Sequence, residues 1–127
     1  MKILIVDDNP MMRRLYKREF KLSNYDVIMV DDEAFVLETS LVEKPDIILM
    51  EIMMPKLNGL EALRVLKQDA NTKDIPVIIL SGYEEESMLQ EALDLGVKRY
   101  LIKSNNDPSF IVATVNEVIA EEHPIAA

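Results

Sequence analysis

Pro45-Asp46-Ile47-Ile48-Leu49-Met50-Glu51-Ile52-Met53-Met54-Pro55 reads as a strand of apolar residues that ends in a lone acid, followed by a loop at Met53-Met54-Pro55. A strand this uniformly apolar is buried on both faces, which implies a parallel sheet covered by helices. An acid at the tip of such a strand is costly unless something pairs with it. The partner has to come from elsewhere in the chain, so Glu51 sets the search for a site.

Outward from this stretch, apolar runs alternate with helix-period segments about five times. Strands are expected over Lys2 to Val6, Tyr25 to Val30, Asp46 to Met50, Ile75 to Leu80 and Arg99 to Ile102. Asn9-Pro10 opens the first helix, with Asn as N-cap and Pro at the first helical position. Met12, Leu15, Tyr16 and Phe20 then share a face. Asp31 or Asp32 caps a short helix marked by Ala34, Leu37 and Leu41. Asn58-Gly59 turns into a helix with Leu60, Leu63 and Leu66. Glu85 to Leu95 is helical, with Met88, Leu89, Ala92 and Leu93 together, and Gly96 ends it. Asp107-Pro108 starts the last helix, lined by Ile111, Val115, Val118 and Ile119. Strand alternating with helix gives right-handed crossovers, and so an α/β three-layer, doubly wound fold with five parallel strands and five helices. One domain over 1–121 and a tail over 122–127 account for the sequence.

Composition narrows the function. The 127 residues carry a net charge of −9, which argues against direct binding of nucleic acid. No apolar run reaches the roughly 18 residues of a membrane span, so no membrane role is expected. Met1-Lys2-Ile3-Leu4-Ile5-Val6 is read as a first strand and not as a signal peptide, because Asp7-Asp8 ends it too early. The chain has no cysteine, hence no disulfide or thiol metal site, which fits a cytoplasmic setting. A basic partner surface or a divalent cation suits the acidity better.

In a parallel sheet functional groups gather at the carboxyl ends of the strands. Here those ends carry Asp7-Asp8, Glu51, Ser81 and Lys103. Two like charges ~4 Å apart repel by roughly 4 kcal/mol at an effective dielectric near 20. Protonation or a cation relieves that repulsion. Oxygen-only ligands suit Mg²⁺, which keeps several waters and takes one or two carboxylates plus a phosphate. Lys103 and Ser81 supply a cation and a donor for phosphoryl oxygens, so the parts needed for phosphoryl transfer are present as candidates. Bland readings stand beside these. Asp7-Asp8 could cap the first helix, Glu51 could pair only with Lys103, and Tyr100 could be plain core. Met50, Met53 and Met54 read as gap-filling side chains. Glu84-Glu85-Glu86 reads as the first turn of a helix, where negative charge suits the dipole, and His123 as a solvated tail residue.

The combination Val6-Asp7-Asp8, Ile52-Met53-Met54-Pro55 with Gly59, Ser81-Gly82 and Tyr100-Leu101-Ile102-Lys103 resembles the response-regulator receiver domains of two-component signalling, of the single-domain, chemotaxis-regulator type. The resemblance covers about residues 2 to 121 and implies the flavodoxin-like strand order 2-1-3-4-5. It implies that Asp7, Asp8, Glu51 and the backbone carbonyl of Met53 hold Mg²⁺. Glu51 stands at the phosphoacceptor position, Ser81 and Lys103 contact the phosphoryl group, and Tyr100 is the switch. It implies a histidine kinase or phosphotransfer protein as one partner. An output protein would bind at the fourth helix, fifth strand and fifth helix, roughly Glu84 to Glu121. The chain would be a signalling switch and not an enzyme, with no catalytic residue of its own, as a monomer or weak homodimer.

Two departures from the family pattern stand out. Glu51 replaces the usual aspartate, which carries the carboxylate one methylene, about 1.5 Å, further out. A displacement of that size can cost ~100-fold in an in-line attack. Phosphorylation is therefore expected to be impaired, or mimicked by the glutamate. Ser104 stands where the family has a proline with a cis peptide, and a non-proline cis bond costs ~3 kcal/mol. A trans or reshaped loop after Lys103 is expected. The alternative reading is a phosphorylation-independent pseudo-receiver that serves as an interaction module. A flavin-binding protein on the same topology would want a loop rich in Gly, Ser or Thr where this chain has Asp7-Asp8-Asn9-Pro10.

Overall fold

A computed structural model describes residues 1–52, 59–82, 86–103 and 107–122. Its elements follow as β1 (Lys2–Val6), α1 (Pro10–Leu22), β2 (Asp26–Val30), a 3-10 turn (Glu33–Phe35), α2 (Val36–Glu43), β3 (Ile47–Glu51), α3 (Gly59–Gln68), β4 (Val77–Ser81), α4 (Glu86–Asp94), β5 (Arg99–Ile102) and α5 (Pro108–Glu122). The five strands form one parallel sheet in the order β2-β1-β3-β4-β5, as expected. Expectations placed on Met53, Met54, Pro55, Asn58, Glu84, Glu85, Ser104, His123 and the last four residues lie outside the described residues.

Strand alternation splits the core into two layers. Leu4, Val6, Ile48, Met50, Val77 and Ile79 face α2, α3 and α4, where Val36, Leu63, Leu66 and Ala92 are buried. Ile3, Ile5, Ile47, Leu49, Ile78 and Leu80 face α1 and α5, against Tyr16, Phe20, Ile111, Val115 and Val118. Every residue of β3 and of β4 is buried, which is why neither strand shows polar alternation.

Local chemistry fixes the ends of the elements. The Asn9 side chain accepts from the backbone N–H groups of Met11 and Met12, with Pro10 at the first helical position. Asp32, not Asp31, caps the turn before α2 by accepting from the Ala34 N–H at 2.9 Å. Gly96 follows α4 with φ +89°, a backbone that glycine adopts without strain. Gly59 answers a different need. A Cβ there would lie 2.6 Å from Ile52 Cα and 2.8 Å from the Glu51 carbonyl oxygen, so only glycine lets α3 start this close to the end of β3.

Several expectations shift. β3 and β4 each run one residue further than their apolar stretches suggest, because Glu51 and Ser81 still pair in the sheet. Leu15 and Leu93 are exposed, 37% and 46%, although both were placed on core faces. Each lies about 100° around its helix from a buried neighbour, Tyr16 and Ala92, and the core reaches only that neighbour. α5 includes Glu122.

Candidate functional site

Sheet register aligns the site. Val6 pairs with Met50, so Asp7 leaves β1 beside Glu51. Glu51 pairs with Leu80, Ser81 follows, and Ser81 pairs with Ile102, which hands the chain to Lys103. Neighbouring strands lie about 4.8 Å apart, so residues distant in sequence stand in a row along one rim.

Lys103 closes that row. Its Nζ lies 2.9 Å from Asp7 Oδ2 and 2.8 Å from Glu51 Oε2. Both acids are buried, Asp7 to 2% exposure and Glu51 to 5%. The remaining oxygens are occupied too. Asp7 Oδ1 accepts from the Asn9 N–H at 2.9 Å, and Glu51 Oε1 from the Ile52 N–H at 3.0 Å. Burial alone would pull the Lys103 ammonium down, but hydrogen bonds to Glu51 and Asp7 outweigh it and the net shift is upward. The expected convergence of Asp7, Glu51 and Lys103 is therefore present. Ser81 is fully buried at the end of β4. Tyr100 is partly buried on the face of the sheet that α2, α3 and α4 cover, packed against the layer that includes Met88, Ile79 and Val97.

Asp8 follows Asp7 but is only partly buried. Lys103 serves Asp7 and Glu51, and Arg13 serves Asp31 at 3.2 Å, while among the described residues no cation pairs with Asp8. The fourth expected metal ligand, the Met53 carbonyl, lies outside the described residues. Among the described residues no three His, Cys, Asp or Glu side chains are grouped to hold an ion. A hard divalent cation does not need three, since Mg²⁺ is held by one or two carboxylates with several waters retained. An all-oxygen rim with acids left over after Lys103 is counted fits that chemistry.

Two groups at the rim were not singled out from sequence. Tyr16 was read as core, and it is 2% exposed. Its phenol is nevertheless pushed up to about 12, by burial first, with Lys103 opposing and Asp7 and Glu51 adding to the rise. It lies within electrostatic reach of the site. Glu33 is the larger surprise. It is 6% exposed, and neither carboxylate oxygen has a hydrogen-bond partner. Burial, then the charges of Asp32 and Asp8, raise it from 4.5 to about 7. The available signal was the run Asp31-Asp32-Glu33 directly after a strand that ends at the same rim.

A doubly wound parallel sheet that gathers buried acids and a lysine at its carboxyl edge defines an α/β domain with its site at the strand ends. Residues 3–116 match the response regulator receiver domain, and the chain belongs to that family, which acts in two-component signalling. It is 36% identical over 121 residues to Protein PilH of Pseudomonas aeruginosa, across 94% of this chain and 98% of that protein. It is also 36% identical over 107 residues to Transcriptional regulatory protein YdfI of Bacillus subtilis, across 83% of this chain, and there it spans about half (49%) of the relative. Among solved structures, the chemotaxis protein CheY4 of Vibrio cholerae superimposes with a TM-score of 0.84 at 23% identity, covering 92% of this chain and 97% of that one. The Mn²⁺-bound form of response regulator Rcp1 matches with a TM-score of 0.76 at 25% identity, covering 99% and 96%. Among the described residues no helix is long and apolar enough to cross a membrane.

Proposed function

We propose that residues 1–121 of this chain act as a response regulator receiver in which Glu51 takes the place of a phosphorylated residue in part and makes phosphorylation itself poor. The observation that carries this reading is the Glu51–Lys103 ion pair at 2.8 Å. A carboxylate that already holds the lysine, and whose other oxygen accepts from its own strand's next N–H, is not poised for in-line attack. The same contact supplies some of the negative charge that a phosphoryl group would present to Lys103. A carboxylate has fewer oxygens and less charge than a phosphoryl group, so it biases the active form only by its differential interaction with the two states. Partial activation follows.

Asp7, Asp8 and Glu51, with the backbone carbonyl of Met53 that the family pattern adds, would hold Mg²⁺. The bound ion would supply positive charge to the rim and to any incoming phosphoryl oxygens. Ser81 would donate to such an oxygen, Lys103 would hold another, and Tyr100 would report the change toward α4, β5 and α5, the face offered to an output protein. Receiver domains interact with histidine kinases or phosphotransfer proteins, and such a partner would meet the acidic rim. Labelling with a small-molecule phosphodonor tests the reading. Acid-labile acyl phosphate should be scarce on this chain and plentiful on Glu51→Asp, whereas stoichiometric labelling of Glu51 refutes it. The same occupied pocket also favours the alternative, a phosphorylation-independent pseudo-receiver. Partner affinity that Mg²⁺ and Glu51→Gln both leave unchanged would select that alternative.

A further inference from the structure

A buried carboxylate without a hydrogen-bond partner is expensive when ionised, and it persists in folded proteins when something else meets it. Glu33 is such a group, nine-tenths buried with both oxygens unpartnered. It sits in the 3-10 turn that leaves β2 at the functional rim. Val30 and Val6 are paired, and the Asp7 N–H donates to the Val30 carbonyl at 3.1 Å, so Asp8 and the turn Asp31–Glu33 leave the sheet side by side. The rim's lysine is spent on Asp7 and Glu51, and Arg13 on Asp31. Asp32 uses one oxygen to cap Ala34. Among the described residues, negative charge is thus left without a paired cation on the β1–β2 side, where Glu33 lies within electrostatic reach of Asp8.

We propose that Glu33 is an additional cation-holding residue, which joins Asp8 at the β1–β2 corner and draws a bound divalent ion toward that side of the rim. The family pattern read from the sequence assigns no such role to this position. The inference rests on the Mg²⁺ reading above and adds a residue to it. The physical need is mutual. The ion gains a further carboxylate beside Asp8, at a rim where Asp7 and Glu51 share their charge with Lys103, and Glu33 gains the positive charge that no described side chain gives it. One or two carboxylates with retained waters is the usual protein share of a Mg²⁺ shell, so the pair is sufficient. A polar group beside the ion also tunes its affinity when the contact runs through a bound water, and loss of such a group typically costs 10–100-fold.

Calorimetric titration of the full chain with MgCl₂ at pH 8 tests this, with Glu33→Gln and Asp8→Asn as the variants. Binding to Glu33→Gln should weaken about tenfold and binding to Asp8→Asn should weaken at least as much. A second readout separates an ion-holding role from a merely buried acid. In EDTA, Glu33→Gln should melt above wild type, and saturating Mg²⁺ should raise wild type more than the variant. Equal Mg²⁺ affinity and equal Mg²⁺-induced shifts in wild type and Glu33→Gln, with Asp8→Asn impaired, would overturn the role of Glu33 and leave the Mg²⁺ reading intact. No Mg²⁺ binding by wild type would overturn both. Glu33→Leu is read in the same way should the glutamine variant fail to fold.

Discussion

Replacing Lys103 by methionine removes one cation from between two buried carboxylates. Its Nζ lies 2.9 Å from Asp7 and 2.8 Å from Glu51, and these acids are 2% and 5% exposed. At an effective dielectric near 20, each contact carries roughly 6 kcal/mol of Coulomb attraction before desolvation is subtracted. The net effect is smaller, because burying the three charges consumed most of that. Breaking a buried pair by deleting one partner costs about 3–5 kcal/mol, since the other charge is left uncompensated. Methionine fills the volume of the lysine stem, so the loss is electrostatic and not a cavity. With an unfolding entropy of about 2.1 cal/mol/K per residue, 1 kcal/mol shifts the Tm of a chain this long by roughly 4 °C. Lys103→Met should therefore melt about 11–19 °C below wild type at pH 8, read by circular dichroism or calorimetry in EDTA. Two controls follow from the same reasoning. The gap should narrow toward pH 5, because the unpaired acids of the variant take up a proton more readily when folded than when unfolded. Glu51→Gln added to Lys103→Met should recover part of the loss, because it removes one of the two stranded charges. A drop of less than about 4 °C at pH 8, or a double variant less stable than Lys103→Met alone, would refute the claim that Lys103 is the counterion of this pair.

Gly59→Ala should destabilise by about 1–3 kcal/mol in urea unfolding, because its Cβ would press on the Ile52 Cα and Glu51 carbonyl, backbone atoms that have no room to move. Glu33 is raised from 4.5 to about 7, chiefly by burial, so between those pH values the folded chain keeps a proton that the unfolded chain loses. Stability measured in EDTA should consequently fall as pH rises through that window, by up to about 3 kcal/mol, and Glu33→Gln should flatten the decline. Tyr25→Phe removes the 2.5 Å hydrogen bond from its hydroxyl to Asn116 Oδ1, which ties the start of β2 to α5, and should cost about 1 kcal/mol in the same unfolding assay.

The fold was readable because β3 and β4 are apolar up to their last residues, Glu51 and Ser81, and only a sheet covered on both faces explains such runs. β3 and β4 are buried throughout, and the parallel order with shared carboxyl ends follows from the βα alternation. The Asp7–Glu51–Lys103 meeting was readable for the same reason, since register places the residues after β1, in β3 and after β5 along one edge. Leu15 and Leu93 were misjudged because an apolar side chain is allowed on the surface and carries no label that says so. Glu33 was missed because periodicity assumes an α-helix from its first residue. The chain instead takes one 3-10 turn, which leaves Asp32 as the cap and Glu33 inward. A polar residue that a non-α turn rotates into the interior leaves no trace in a hydrophobicity pattern.

Under the proposed function, the charges at the rim would make Lys103 the element on which switching depends. One ammonium is shared by Asp7 and Glu51, so any group that takes over either acid changes where Lys103 is best placed. A phosphoryl group on an aspartate would compete for the lysine outright. Glu51 is already bound to it, and what remains variable is the positive charge on the opposite side, near Asp8 and Glu33. Under our reading a divalent ion there would lower the net charge on Asp7 and weaken its hold on Lys103, shifting the lysine toward Glu51. Linkage makes the effect reciprocal, so a variant that strengthens the Glu51–Lys103 contact should also bind Mg²⁺ more tightly. In this chain the ion would thus take over part of the control that phosphorylation exerts in receivers with an aspartate at that position.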